Sequence, residues 1–85
     1  MQPTDTTQRA IARSLHLDGL PASVVVAWVG VAMLSVRPGE LVEVRSTDPD
    51  TARELRVWCR ATGNRLVEES GQGGTYRFVV RRGRA

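Results

Sequence analysis

Ala22 to Val36 reads ASVVVAWVGVAMLSV and lies within an eighteen-residue stretch, Gly19 to Val36, that carries no charged side chain. Taken alone, VVVAWV suits a buried strand, because valine is β-branched and packs well on a pleated surface. Length decides otherwise. The apolar run opens after Leu20-Pro21, contains Ala and Met, and stops at Arg37-Pro38-Gly39, which predicts a helix with Pro-Gly as its terminator. The unbroken apolar core of the run, Val24 to Leu34, has eleven residues. As a helix it would reach about 16 Å, roughly half of a hydrocarbon core of about 30 Å, so no membrane span is expected. Asp5 and Asp18 precede the run and no A-x-A site follows it, which argues against a signal peptide; a cytoplasmic protein is expected.

The signals on either side of this helix alternate between strand and helix. Ser14-Leu15-His16-Leu17-Asp18 puts Leu15 and Leu17 on one side of a short strand and His16 on the other, facing solvent without a catalytic partner. Leu41-Val42-Glu43-Val44-Arg45 alternates as a half-buried strand does. Asp48-Pro49 predicts the start of a second helix, with Asp48 as N-cap and proline at the first helical position. Leu55, Trp58, Cys59 and Thr62 recur at i, i+3, i+4 and i+7 and define its core-facing side, and Gly63-Asn64 ends it with a left-handed cap. Leu66 to Ser70 and Thr75 to Arg81 form a hairpin around Gly71-Gln72-Gly73-Gly74. The order is β-α-β-α-β-β, an α+β domain over residues 14–82, with a leader at 1–13 and a short tail at 83–85.

Composition bounds the chemistry. Eighty-five residues allow one domain, and the single cysteine, Cys59, cannot form an internal disulfide. Cys59 and His16 together fall short of a zinc ligand set, so neither a metal site nor a cofactor is expected. Twelve arginines against nine carboxylates give a net charge of +3, with the two signs interspersed along the chain.

The same residues, taken in order, resemble the TusA/SirA family of small sulfur-relay proteins. The resemblance is carried by Leu17-Asp18-Gly19-Leu20 before the first helix, Arg37-Pro38-Gly39-Glu40 after it, and Thr47-Asp48-Pro49 before the second helix. Trp58-Cys59, Gly63-Asn64 and the closing Tyr76-Arg77-Phe78 complete it, over Leu15 to Arg82. It implies a two-layer α/β sandwich, two helices packed on one face of a four-stranded mixed sheet. It also implies a Cys-Pro-x-Pro motif at the start of the first helix, where backbone N–H groups and the helix dipole stabilise a thiolate or persulfide. Counted back from Pro38-Gly39-Glu40 without a gap, that motif falls on Ala22-Ser23-Val24-Val25. The nucleophile and both prolines are absent there. Cys59 sits late on the core side of the second helix and reads as a small buried hydrophobe.

Two further features bear on function. The first helix is apolar in every direction, which predicts a protein interface, with a partner or a second copy, formed by Ala22, Ser23, Trp28, Gly30, Val31 and Leu34. Gly30 is expected to admit a close approach by another backbone. Arg77, Arg81 and Arg82 on the last strand form a candidate anion contact. The leading expectation is a family member without the persulfide-carrying cysteine, acting as an interaction or regulatory module through its first helix. The alternatives are a sulfurtransferase working through Cys59 and an arginine-mediated nucleic-acid binder.

Overall fold

The computed structural model describes residues 11–84. Its elements are β1 (Ile11–His16), α1 (Ala22–Met33), β2 (Leu41–Ser46), α2 (Thr51–Thr62), β3 (Arg65–Gln72) and β4 (Thr75–Arg81). The sheet order is β1-β2-β4-β3. β1 runs parallel to β2, whereas β4 is antiparallel to both of its neighbours, so the sheet is mixed as expected. The parallel pair requires a crossover, which α1 supplies. β2 and β3 also run in one direction, with α2 between them in sequence and β4 inserted between them in space.

One face of the sheet is closed by both helices. Val25, Val29, Ala32 and Met33 of α1 and Leu55 and Cys59 of α2 pack on Val42 and Val44 of β2 and Phe78 and Val80 of β4. The strand residues are alternate positions, which is why they share a face. Leu41 and Val79 are also buried, on the opposite face, which they share with Glu43, Arg77 and Arg81.

The structure departs from the expected boundaries and faces in several places. β1 begins at Ile11, so Ile11, Ala12 and Arg13 belong to the sheet and not to a leader; the rest of that leader lies outside the described residues. α1 ends at Met33, short of the Pro-Gly terminator. Ser35 and Val36 fold back onto Ala32 and Met33 through amide bonds of 3.0 and 3.4 Å, which returns Val36 to the core. The carbonyls of Met33 and Val36 are then capped by the Arg82 guanidinium, at 2.9 Å for Met33. α2 begins at Thr51 with Asp50 as its N-cap residue, two positions after the expected Asp48. Thr62 is exposed and donates its hydroxyl to the Trp58 carbonyl at 2.7 Å, so it leaves the core-facing side that Leu55 and Cys59 occupy.

The α2 terminus is as expected: Gly63 adopts φ of 75° and the Asn64 amide donates to the Cys59 carbonyl at 3.0 Å. The hairpin is tighter than expected. β3 continues to Gln72, leaving only Gly73-Gly74 as the turn, with φ of 62° and 83°, the pair of positive values that a two-residue type I′ turn requires.

After β4 the backbone passes close to the α2 terminus. Gly83 donates its amide to Asn64 Oδ1 at 2.9 Å, and a Cβ on Gly83 would lie 1.9 Å from the Gly63 carbonyl oxygen. Backbone meets backbone there, so a side chain has nowhere to go. Gly83→Ala is expected to cost about 1–3 kcal/mol, the usual penalty of overpacking. A lower urea midpoint with an unchanged slope would report it.

Candidate functional site

The parallel strands β1 and β2 both deliver the chain into a helix at the same end of the sheet, and hydrogen bonds lace the two connections together. Gly19 donates its amide to Thr47 Oγ1 at 2.8 Å, and Ala22 donates its amide to Asp48 Oδ2 at 2.8 Å. The other carboxylate oxygen of Asp48 accepts the Asp50 amide at 2.8 Å. A buried hydroxyl pair beneath, Ser46 and Thr51 at 2.8 Å, ties the end of β2 to the start of α2. Asp48 therefore caps α1 from the neighbouring loop while shaping the approach to its own helix. Its two backbone hydrogen bonds, from Asp50 and then Ala22, hold its carboxyl below the usual aspartate range.

Ala22 is the first residue of α1, and its methyl is buried, with 3% of its surface exposed. It offers a partner no surface, which removes it from the expected interface; Ser23 beside it is exposed. Cys59 is buried on the inner side of α2, eight residues after the first helical position. That spacing corresponds to about 12 Å along the helix axis. Burial pushes its thiol up to about 11, away from the depressed values that reactive thiols show.

The outer surface of the helical layer is apolar. Trp28, Val31 and Leu34 are 50%, 57% and 80% exposed, and Val24 joins them at 36% on the same line. Gly30 is not part of that line. A Cβ on it would point at the Trp58 ring, 3.7 Å away, so the close approach expected at Gly30 is made by a side chain of the same chain. Trp58 thereby bridges the two helices, half-buried rather than fully in the core. Beside it, Val57 is 62% exposed and extends the apolar surface onto α2. The i, i+3, i+4 pattern of α2 did not select Val57, because it lies between the core positions and an arginine-rich side.

The three arginines expected to contact an anion separate into different roles. Arg77 is engaged on the face of the sheet opposite the helices by Glu43 at 2.5 Å and Glu68 at 2.8 Å. Arg82 caps α1, as described. Arg81 makes no ion pair among the described residues, and β3 places Arg65 directly opposite it. His16 lies exposed on β1, as its alternation predicts. No helix among the described residues is long and apolar enough to cross a membrane.

This arrangement of a βαβ crossover, a carboxylate-capped α1 and a returning hairpin has known relatives. Residues 15–82 match the family described as sulfurtransferase TusA. Over 68 residues the chain is 40% identical to the sulfur carrier protein TusA of Pseudomonas paraeruginosa, which covers 80% of this chain and 86% of that one. Over 79 residues it is 30% identical to the sulfur carrier protein TusA of Pseudomonas putida, covering 93% and 95% of the two chains. A more distant relative, the sulfur carrier protein TusA of Allochromatium vinosum, is 23% identical over 70 residues. The chain belongs to the TusA sulfurtransferase family.

Two measurements check this geometry. A carboxyl held low in the folded state contributes stability above its unfolded value of about 3.9, and the contribution is lost as pH falls through the lower folded value. Wild-type urea midpoints are therefore expected to fall on acidification below about pH 4, and Asp48→Asn to lower the midpoint at neutral pH and flatten that acid limb. For Cys59, Ellman's reagent near neutral pH is expected to leave the native thiol unmodified and to titrate one thiol once urea unfolds the chain.

Proposed function

We propose that this chain is a TusA-family domain that carries no sulfur itself and acts as a protein-interaction or regulatory module through the outer face of α1. The observation behind this reading is a pairing on one helix. The resemblance sets Ala22 at the position of the family's motif cysteine, and the same helix presents Val24, Trp28, Val31 and Leu34 to solvent. A methyl group cannot hold a persulfide. Ser23 has neither the acidity nor the redox chemistry of a thiol, and the one remaining thiol is buried at the far end of α2. An exposed aromatic and aliphatic line of this kind is rare on soluble monomers unless something binds there.

The relatives named as sulfur carriers support a role next to sulfur relay, with docking retained and the covalent step absent. Ser23 stands at the rim of this surface; Val57 and Trp58 continue it onto α2. A cytoplasmic location fits this role.

The test combines loading and association. Incubation with a cysteine desulfurase and L-cysteine, followed by persulfide-selective alkylation and intact mass measurement, is expected to show no added sulfur. A one-sulfur adduct on Cys59 overturns the reading in favour of a working carrier. In sedimentation velocity the chain, alone or with its co-purifying protein, is expected to form a complex that Trp28→Glu with Leu34→Glu abolishes. Because both side chains are exposed, the double variant should keep its unfolding free energy within about 0.5 kcal/mol of wild type. A wild-type monomer that associates with nothing overturns the docking half.

A further inference from the structure

Away from both helix starts, at the opposite end of the sheet, the segment after β4 and the α2 terminus enclose an open cleft of about 440 Å³. Among the described residues its lining is four arginines, Arg65, Arg81, Arg82 and Arg84, with Pro38 and the glycines 39, 63 and 83, and no carboxylate side chain. Acidic side chains on and beside the adjoining strands have partners of their own. Glu40 accepts the Arg37 amide at 2.7 Å, while Glu43 and Glu68 hold Arg77.

The register makes this clustering costly. Arg65 and Arg81 are direct cross-strand partners in the β3–β4 ladder, and like charges placed opposite each other destabilise a sheet. Among the described residues, neither of them nor Arg84 makes an ion pair. Arg82 differs, because its guanidinium already serves the α1 carbonyls. The cleft wall is otherwise closed by its own hydrogen bonds: the Gly39 amide donates to the Arg82 carbonyl at 2.8 Å, the Arg82 amide to the Glu40 carbonyl at 2.9 Å, and the Gly83 amide to Asn64. The guanidinium groups are therefore the donors that a ligand would meet, each offering a planar fork of N–H groups.

We infer that this cleft is a binding site for a small ligand bearing a phosphomonoester or diphosphate, held by Arg65, Arg81 and Arg84. The charge count selects the class. A carboxylate brings one negative charge and is saturated by one guanidinium, whereas a terminal phosphate carries about −1.5 to −2 and three acceptor oxygens. Only the latter offsets two arginines facing each other across a ladder and still reaches a third. The volume falls within the usual range for small-ligand sites, about 300–1,000 Å³. The site is independent of the α1 surface, so it stands or falls separately from the docking reading.

Titration of the full chain with inorganic pyrophosphate at constant ionic strength, followed by amide chemical shifts and melting temperature, tests the inference. Saturable shifts are expected at Arg65, Arg81 and Gly83, with a rise in melting temperature. Arg65→Gln with Arg81→Gln should weaken binding about tenfold or more, as the loss of charge-assisted hydrogen bonds predicts. Arg53→Gln, on the exposed side of α2, should leave binding unchanged, and an equal loss there overturns the site by showing a response to net charge alone. Without anion, Arg65→Gln should melt at or above the wild-type temperature, because it removes the like-charge pair; a lower value overturns the premise. A single-stranded oligouridylate run in parallel separates the sources of phosphate. If it binds while pyrophosphate produces no saturable shift, a polyanion track replaces the small-ligand site and the inference fails.

Discussion

A single carboxylate joins the two halves of this fold. Asp48 accepts the Ala22 amide with one oxygen and the Asp50 amide with the other, so the loop that leads into α2 also terminates α1. Without that bond the first turn of α1 would present a bare amide beside a proline N-cap residue that has no side-chain acceptor of its own. The hydroxyls of Ser46 and Thr51 and the bond from Gly19 to Thr47 act around it. Both helices are thereby set in position at one end of the sheet, and their inner sides meet over Val42, Val44, Phe78 and Val80.

That constraint gives the start of α1 its character. A helix N-terminus favours negative charge, and here protein supplies it: the Asp48 carboxylate lies on the Ala22 amide, and the Ala22 methyl is buried beneath. On the proposed reading the framework of a sulfur carrier is retained around a position with no sulfur. On that reading the helix would meet other molecules through its outer side, where Trp28, Val31 and Leu34 are exposed while Val25 and Val29 are fully buried.

Local patterns carried the element order, because proline, glycine and alternating apolar residues act within a few positions of themselves. The left-handed Gly63 is chemistry legible in sequence, as is a hairpin at Gly71-Gln72-Gly73-Gly74, although its turn proves to be Gly73-Gly74 alone. What was not legible depends on partners distant in the chain. Asp48 reads as the cap of the helix that follows it, and only the packing of the two loops brings Ala22 to its second oxygen. Gly30 reads as a place for a foreign backbone until Trp58, on another helix, is seen to lie against it. The arginines of β4 look alike in sequence, yet register gives Arg77 to two glutamates, sends Arg82 to the end of α1, and sets Arg81 against Arg65. The end of α1 at Met33 has the same origin, since Arg82 lies 49 residues further along the chain.

The strand order has a consequence for how such a chain acquires its structure. β4 comes last in sequence among the strands but lies in the interior of the sheet, hydrogen-bonded on both edges. Until Thr75–Arg81 has emerged from the ribosome, β2 and β3 have no common neighbour, and the helices have only part of the surface they pack on. Local helix formation can precede this, but the sheet closes through long-range pairings only once Thr75–Arg81 has been made. Until then the uncharged, valine-rich α1 can pack only on β2 and α2, before Phe78 and Val80 arrive to complete the core.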